Sequence, residues 1–215
     1  MKFAPEGRPF LALGAVILIV LAALAWKRGG AWSIPFALWI PVAIWLPVFF
    51  RDPVRNGPRG EALVIAPADG LVVSVGEVDE PDYLGGRATR VSIFMSIFDV
   101  HVNRHPVGGL VEYRDYREGR FINASLDKAS EGNERMSLGI RGPHGRVLVR
   151  QIAGLIARRI VTDPSVGDAV VQGNRLGMIR FGSRVDTFIP RGTRINVRVG
   201  DRTVAGQTVI GKWSE

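Results

Sequence analysis

The sequence predicts a mainly β domain of the α+β class, preceded by an N-terminal helical hairpin that belongs in or on a membrane. Two long uncharged apolar segments fill most of the first fifty residues. From about Asp52 the texture changes to short Val/Ile-rich runs punctuated by Gly, such as ALVIAPADG, LVVSVGEV, TRVSIFMSI, GRVLVRQIAG and RINVRVGD. Alternating runs of that length between turn signals indicate antiparallel strands, and no later segment shows a long helical period. The expected division is therefore a hydrophobic hairpin over residues 1–51 and a β domain over residues 52–215.

Length and composition narrow the function classes. At 215 residues the chain suits one ordinary domain plus attachments, so a large multidomain machine is excluded. It contains no Cys, which removes disulfides, thiolate zinc sites, iron–sulfur clusters and cysteine nucleophiles together. Chemistry must then rest on oxygen, nitrogen or a cofactor. The 28 Lys and Arg exceed the 20 Asp and Glu, for a net charge of +8. Such a balance serves an anionic membrane surface as well as a nucleic acid. Nucleic acid is the poorer fit, because the basic residues show no aromatic interleaving.

The first apolar segment runs from Phe10 to Trp26 and the second from Ala31 to Phe50. At about 1.5 Å per helical residue they span roughly 25 and 30 Å, against a hydrocarbon core of about 30 Å. Only Lys27-Arg28-Gly29-Gly30 separates them, so the chain returns on itself. Trp26, Trp32, Trp39 and Trp45 supply the amphipathic rings that favour interfaces. A charged start, an apolar core and Ala23-Leu24-Ala25 resemble a cleaved signal peptide, but a second apolar segment follows at once. Pro35, Pro41 and Pro47 each remove a backbone donor, which also allows that segment to lie shallowly or re-enter. Lys2 and Arg8 before the hairpin and Arg51, Arg55 and Arg59 after it outnumber the two positive residues in its turn, which points to the cytoplasmic side.

Within the β domain, Val166-Gly-Asp-Ala-Val-Val-Gln-Gly173 and Val199-Gly-Asp-Arg-Thr-Val-Ala-Gly206 form a weak internal repeat. A repeated strand–turn–strand unit suits a small barrel or sandwich. Its glycine-flanked turns resemble those of biotinyl and lipoyl carrier domains, and Asp127-Lys128-Ala129 repeats the lipoyl acceptor triplet. One rival is therefore a membrane-tethered carrier or adaptor without catalysis, modified on Lys128.

Three places could carry chemistry. Asp69 sits in Pro67-Ala68-Asp69-Gly70, directly after an apolar run, where ordinary Asp-Gly turn chemistry is the bland explanation. Two of the three His, His101 and His105, fall in Met95-Ser-Ile-Phe-Asp-Val-His-Val-Asn-Arg-His-Pro106. Pro106 and the β-branched neighbours argue for an extended segment, in which His101, Asn103 and His105 share one face. No HExxH motif or third obvious ligand is present, so no metal is expected. The third place is Arg180-Phe181-Gly182-Ser183-Arg184-Val185-Asp186, which lacks the G-x-S-x-G of a serine-hydrolase elbow. His144, in Arg-Gly-Pro-His-Gly-Arg, has a turn composition and is expected in a solvated loop.

APADG, MSIFDVHVNRHPVGG, LDKASEGNER and RFGSRVD, in this order after a hairpin, resemble the phosphatidylserine decarboxylases in their short bacterial and archaeal form. The resemblance implies a barrel-sandwich-hybrid-like domain and a proenzyme that makes its own cofactor. It implies attack of the Ser183 hydroxyl on the Gly182 carbonyl, giving a β chain of residues 1–182 and an α chain of residues 183–215 that stay together. The new end would carry a covalent pyruvoyl group, which forms a Schiff base with the substrate amine and acts as electron sink. The implied product is phosphatidylethanolamine, made from phosphatidylserine in the membrane. Serine needs a base, and a His held by an Asp is the usual means, so Asp69 is expected to orient His101 toward Ser183. His101 and then His105 are the candidates for protonating the substrate carbon.

The chain departs from the long form of that family in two places. Phe181-Gly182-Ser183-Arg184 replaces Leu-Gly-Ser-Thr, so no following Thr hydroxyl is available. The spacing from His101 to His105 is four rather than three, which makes His105 the weaker assignment. The basic charge would hold the domain against an anionic leaflet at roughly 1 kcal/mol per basic residue near the surface.

Overall fold

A computed structural model describes residues 2–119, 132–154, 159–180 and 182–213. The chain divides into two compact units, Met1–Val54 and Arg55–Glu215.

In the first unit, helices Arg8–Arg28 and Ser33–Phe49 are joined through Gly29 and a single 3-10 turn, Gly30–Trp32. Gly29 and Gly30 take φ of 56° and 49°, left-handed values that Gly adopts without a Cβ clash and that let the chain reverse at once. The second helix continues through Pro41 and Pro47. The helices close on a small residue: a Cβ on Gly14 would come within 2.6 Å of Leu46 Cδ1, and Trp39 Nε1 donates to the Gly14 carbonyl at 3.1 Å. Both helical segments, Pro5–Arg28 and Gly30–Phe49, are long and apolar enough to cross a membrane. Strand Lys2–Phe3 pairs with Arg51–Asp52, so the ends of the hairpin meet.

The second unit is built on one curled antiparallel sheet of eight strands. In spatial order these are Ala169–Val170, Gly109–Arg117, Arg135–Gly142, Gly145–Ala153, Ser183–Pro190, Gly86–Met95, Gly70–Glu80 and Arg202–Thr203. Two three-stranded sheets accompany it. One is ordered Ile160–Thr162, Arg175–Ile179, Val102–Arg104, and the other Arg194–Ile195, Val209–Lys212, Leu63–Ile65. Alternation along the large sheet sends Val91, Ile93, Met95, Val147, Val149, Val185 and Ile189 into one apolar core shared with Val64, Leu176 and Ile210 of the smaller sheets. The mainly β class with an N-terminal helical hairpin is thus the observed one.

The eight-strand order is symmetric about its central pair, and the short repeat read in the sequence is the edge of that symmetry. Asp168 Oδ2 accepts from the Ser165 N–H at 2.8 Å, and Asp201 Oδ2 accepts from the Arg198 N–H at 2.9 Å. The Gly167 and Gly200 N–H groups donate to Val111 and Val72 carbonyls, both at 2.9 Å. Gly173 and Gly206 then donate to His105 and Ala66. The partners repeat too. A Cβ on Gly109 would meet the Arg141 carbonyl oxygen at 2.0 Å, and one on Gly70 would meet that of Phe94 at 2.1 Å, so both edges need Gly for close backbone approach.

Candidate active site

The site forms where the chain crosses between sheets. Strand Gly86–Met95 ends, and residues 96–101 lead to Val102–Arg104 in a three-stranded sheet. Strand Arg175–Ile179 pairs with Val102–Arg104, Met178 opposite Val102, and after three intervening residues the chain re-enters the large sheet at Ser183, opposite Met95. The two crossings therefore run side by side. Ala153 is also opposite Ser183, and Ile160 is opposite Ile179. Ser183 opens the strand at the middle of this corner, and His101 closes the adjacent crossing.

Ser183 is fully buried on the core face, and its Oγ has no hydrogen-bond partner among the described residues. A buried hydroxyl left so costs about 1–3 kcal/mol, and Ser183 shares that setting with Ser92 and Thr187 on the same sheet; the glycine before it sets it apart. Gly182, immediately before it, takes φ +63°, and among the described residues nothing lies within 4 Å of where its Cβ would be. The requirement for Gly there is conformational, not one of space.

His101 is also fully buried. Its Nδ1 lies 3.0 Å from the Asp99 carbonyl oxygen. A carbonyl only accepts, so Nδ1 carries the proton and the neutral ring keeps the Nε2 lone pair to act as a base. The turn that presents this carbonyl is locked, because Asp99 Oδ2 accepts from the Ser96 N–H at 2.8 Å and the Ser96 hydroxyl at 2.7 Å.

Asp69 reaches the same corner by another route. Ile65 donates to the Pro106 carbonyl and Arg104 to the Pro67 carbonyl, an antiparallel run that leads Ala68 and Asp69 toward Val102. Its carboxylate, however, accepts from Arg55 at 2.6 Å and from the Ala205 N–H at 2.7 Å. The geometry thus pairs His101 Nδ1 with the Asp99 carbonyl and the Asp69 carboxylate with Arg55 and the Ala205 N–H. The reason is that Gly70 pairs with Thr203, which turns Asp69 toward the segment that follows. Burial raises the Asp69 pKa above the usual carboxylate value, against the lowering effect of the Ala205 N–H and of Arg55.

His105 has a different setting. A register shift opposite Arg104 and Asn103 interrupts the alternation, and His105 lines a cavity of about 380 Å³ with Asp163, Asp168 and Arg175. Burial lowers its pKa to about 4, so it is neutral at physiological pH. Asn103, between the two His, turns to the Ser183 side: its Nδ2 lies 3.5 Å from Met95 Sδ, and its Oδ1 accepts from Gln151 Nε2 at 2.8 Å. Gln151 in turn accepts from the Thr162 hydroxyl at 2.6 Å. His144 is exposed and stacks on Trp213, as a loop residue. Among the described residues no group of His, Asp and Glu is placed to hold a metal ion. Lys128 lies outside the described residues.

Comparison with known proteins bears on this geometry directly. The family model described as phosphatidylserine decarboxylase matches residues 43–211. A phosphatidylserine decarboxylase proenzyme of Symbiobacterium thermophilum is 50% identical over 214 residues, covering 97% of this chain and 94% of that protein. The chain belongs to the phosphatidylserine decarboxylase family. Proenzymes of the same name from Azorhizobium caulinodans and Geobacter sulfurreducens are 49% and 44% identical over 97% of this chain, and over 88% and 95% of their own lengths. The chain is accordingly an enzyme of the decarboxylase class.

Arg184, which stands where long family members carry Thr, faces away from the Ser183 side of the strand. Strand alternation puts Ser183 and Arg184 on opposite faces. Arg184 and Asp186 are both fully buried and form a two-pronged ion pair, Nε to Oδ1 at 2.7 Å and a terminal nitrogen to Oδ2 at 3.0 Å. Sequence reasoning also missed Gln151 and Thr162. The one available signal was a lone amide on the buried row of the apolar strand GRVLVRQIA.

Proposed function

We propose that the protein cleaves itself between Gly182 and Ser183 and then decarboxylates phosphatidylserine to phosphatidylethanolamine. The observation that carries this reading is the buried, unpartnered Ser183 hydroxyl following a glycine at φ +63°, on the crossing next to His101.

His101 Nε2 takes the Ser183 hydroxyl proton, and Oγ attacks the Gly182 carbonyl carbon. The C–N bond breaks as the amine gains a proton, leaving an ester between Gly182 and the Ser183 side chain. Loss of the Ser183 α-proton and of the Gly182 carboxylate gives dehydroalanine. Its tautomer takes up water and releases ammonia. The products are a β chain of residues 1–182 and an α chain of residues 183–215 headed by pyruvoyl. Both outer neighbours of the α chain's first strand, Gly86–Met95 and Gly145–Ala153, belong to the β chain, so the two chains stay together as a heterodimer.

The corner fits such a group, because the hydroxyl it derives from is buried and unpaired. A pyruvoyl group there supplies a carbonyl that condenses with the substrate amine as a Schiff base and accepts the electron pair as carbon dioxide leaves. His101 Nε2 holds the proton delivered to the substrate carbon, and Asp69 places a carboxylate at the same corner to favour the charged ring. His105, being neutral, keeps one N–H donor and one acceptor nitrogen and is the second candidate for moving that proton. The hairpin anchors the β domain on the cytoplasmic side of the membrane, where the basic surface meets anionic lipid.

Intact-mass spectrometry of the full-length protein tests this. The expected result is a small chain starting at residue 183 with pyruvate in place of serine, lost in Ser183→Ala, together with carbon dioxide release from phosphatidylserine vesicles. A single chain of full mass that persists with membranes would overturn the proposal, and added mass on Lys128 would favour the carrier reading.

A further inference from the structure

Beside the catalytic corner, two turns present apolar side chains to solvent. The crossing that ends at His101 carries Ile97 and Phe98 at its tip, and Phe98 is 67% exposed. The Arg198–Asp201 turn carries Val199, 60% exposed, and Leu71 is half-exposed on the strand that pairs with Arg202. An Arg202 nitrogen lies 3.4 Å from Asp99 Oδ1, which joins the two turns into one surface.

Neither turn owes its exposure to slackness. Asp99 is fastened to Ser96 by two hydrogen bonds, Asp201 accepts from the Arg198 N–H at 2.9 Å, and Gly200 and Val72 are bonded backbone to backbone. The polarity of the surface is ordered as well. Its carboxylates are the less exposed, Asp99 at 17% and Asp201 at 38%, whereas the guanidinium groups face outward, with Arg198 90% and Arg202 72% exposed. An aromatic and three aliphatic side chains rimmed by outward cations match the boundary between anionic headgroups and acyl chains.

We propose that Ile97, Phe98, Leu71 and Val199 enter the surface of an anionic bilayer, with Arg198 and Arg202 on the headgroup phosphates, and so bring the catalytic corner to a substrate that stays in the membrane. This rests on the decarboxylase reading above and adds a second membrane contact, distinct from the hairpin. It explains why the turn before His101 has an apolar tip although its base is tied by polar side chains.

The test uses the full-length, matured protein. Ile97→Ser/Phe98→Ser is expected to mature normally and to keep its rate on short-chain phosphatidylserine below its micelle concentration. On phosphatidylserine vesicles its kcat/KM is expected to fall about tenfold or more, since the lost transfer of a large aromatic side chain is of that order. Equal rates on vesicles, or an equal fall on both substrates, overturns the proposal. Absence of activity in the parent protein on both substrates would instead reject the decarboxylase reading. Because the chain has no Cys, Phe98→Cys can carry a single environment-sensitive dye. A blue shift on adding anionic vesicles is expected. No shift, or one that depends on protein concentration without lipid, overturns the proposal, the latter in favour of a second copy of the chain.

Discussion

His101 Nδ1 and the Asp99 carbonyl oxygen, 3.0 Å apart, determine which nitrogen of the ring carries the proton. With Nδ1 donating, the lone pair is on Nε2, and no change of tautomer is needed before a proton is accepted. His101→Ala is therefore expected to leave a folded, uncleaved chain. Asp99→Ala keeps the carbonyl but loses the clamp on Ser96, so it should slow maturation without abolishing it. Time courses of intact mass after synthesis check both, and normal processing of His101→Ala would move the base elsewhere.

Gly182→Ala separates conformation from space. At φ +63° an L-residue is disfavoured by about 1–2 kcal/mol, while the open surroundings impose no clash. The expected outcome is a melting temperature within a few degrees of the parent and cleavage slowed by about tenfold. Unchanged cleavage would mean that the scissile residue leaves this conformation before attack.

His105 should make the fold acid-sensitive. Its folded pKa of about 4 lies below the ordinary value of 6.5, so between these values the unfolded state binds more protons. Stability then rises with pH across that window and is lost as pH falls through it, by at most about 3 kcal/mol from this group. Asp69, whose raised pKa means that its contribution is lost as pH rises above its ordinary range, acts in the opposite sense. In a Ser183→Ala background, where chain integrity is constant, His105→Gln should flatten denaturant stability measured from pH 6.5 to 4. An unchanged slope would assign the acid sensitivity to other groups.

The β class, the hairpin and the edge repeat were legible because they follow from periodicity and from Gly and Asp in turns, which are local. Ser183 and His101 were legible as a pair only through the family resemblance. Nothing near either residue announces that strands far apart in sequence bring them to one corner. The Asp99 carbonyl beside His101 Nδ1 was illegible for a related reason: main-chain acceptors have no residue signature. Asp69 was expected beside His101 because a carboxylate beside a His is the common arrangement. Its engagement by Arg55 and Ala205 depends on the pairing of Gly70 with Thr203, a long-range contact. The Thr162–Gln151–Asn103 chain joins three strands and was illegible in each of them.

Arg184 and Asp186 pose the sharpest test of how the new chain end is held. The proposed cleavage would make Arg184 the second residue of the α chain, where a strand terminus ordinarily frays. The buried fork to Asp186 fixes it one residue from the pyruvoyl position and on the opposite face. Removing one partner takes this ion pair away from the other buried charge, and breaking such a pair typically costs about 3–5 kcal/mol, whereas replacing both with apolar residues restores much of that. In the Ser183→Ala background, Arg184→Leu and Asp186→Leu should each be strongly destabilised in urea, and the double variant less than either. In the cleavable chain the double variant should mature but lose decarboxylase activity, because packing can stabilise the strand without holding the orientation of its first residue. Full activity in the double variant would show that the neighbouring strands alone position the end, and would reduce the ion pair to a role in folding.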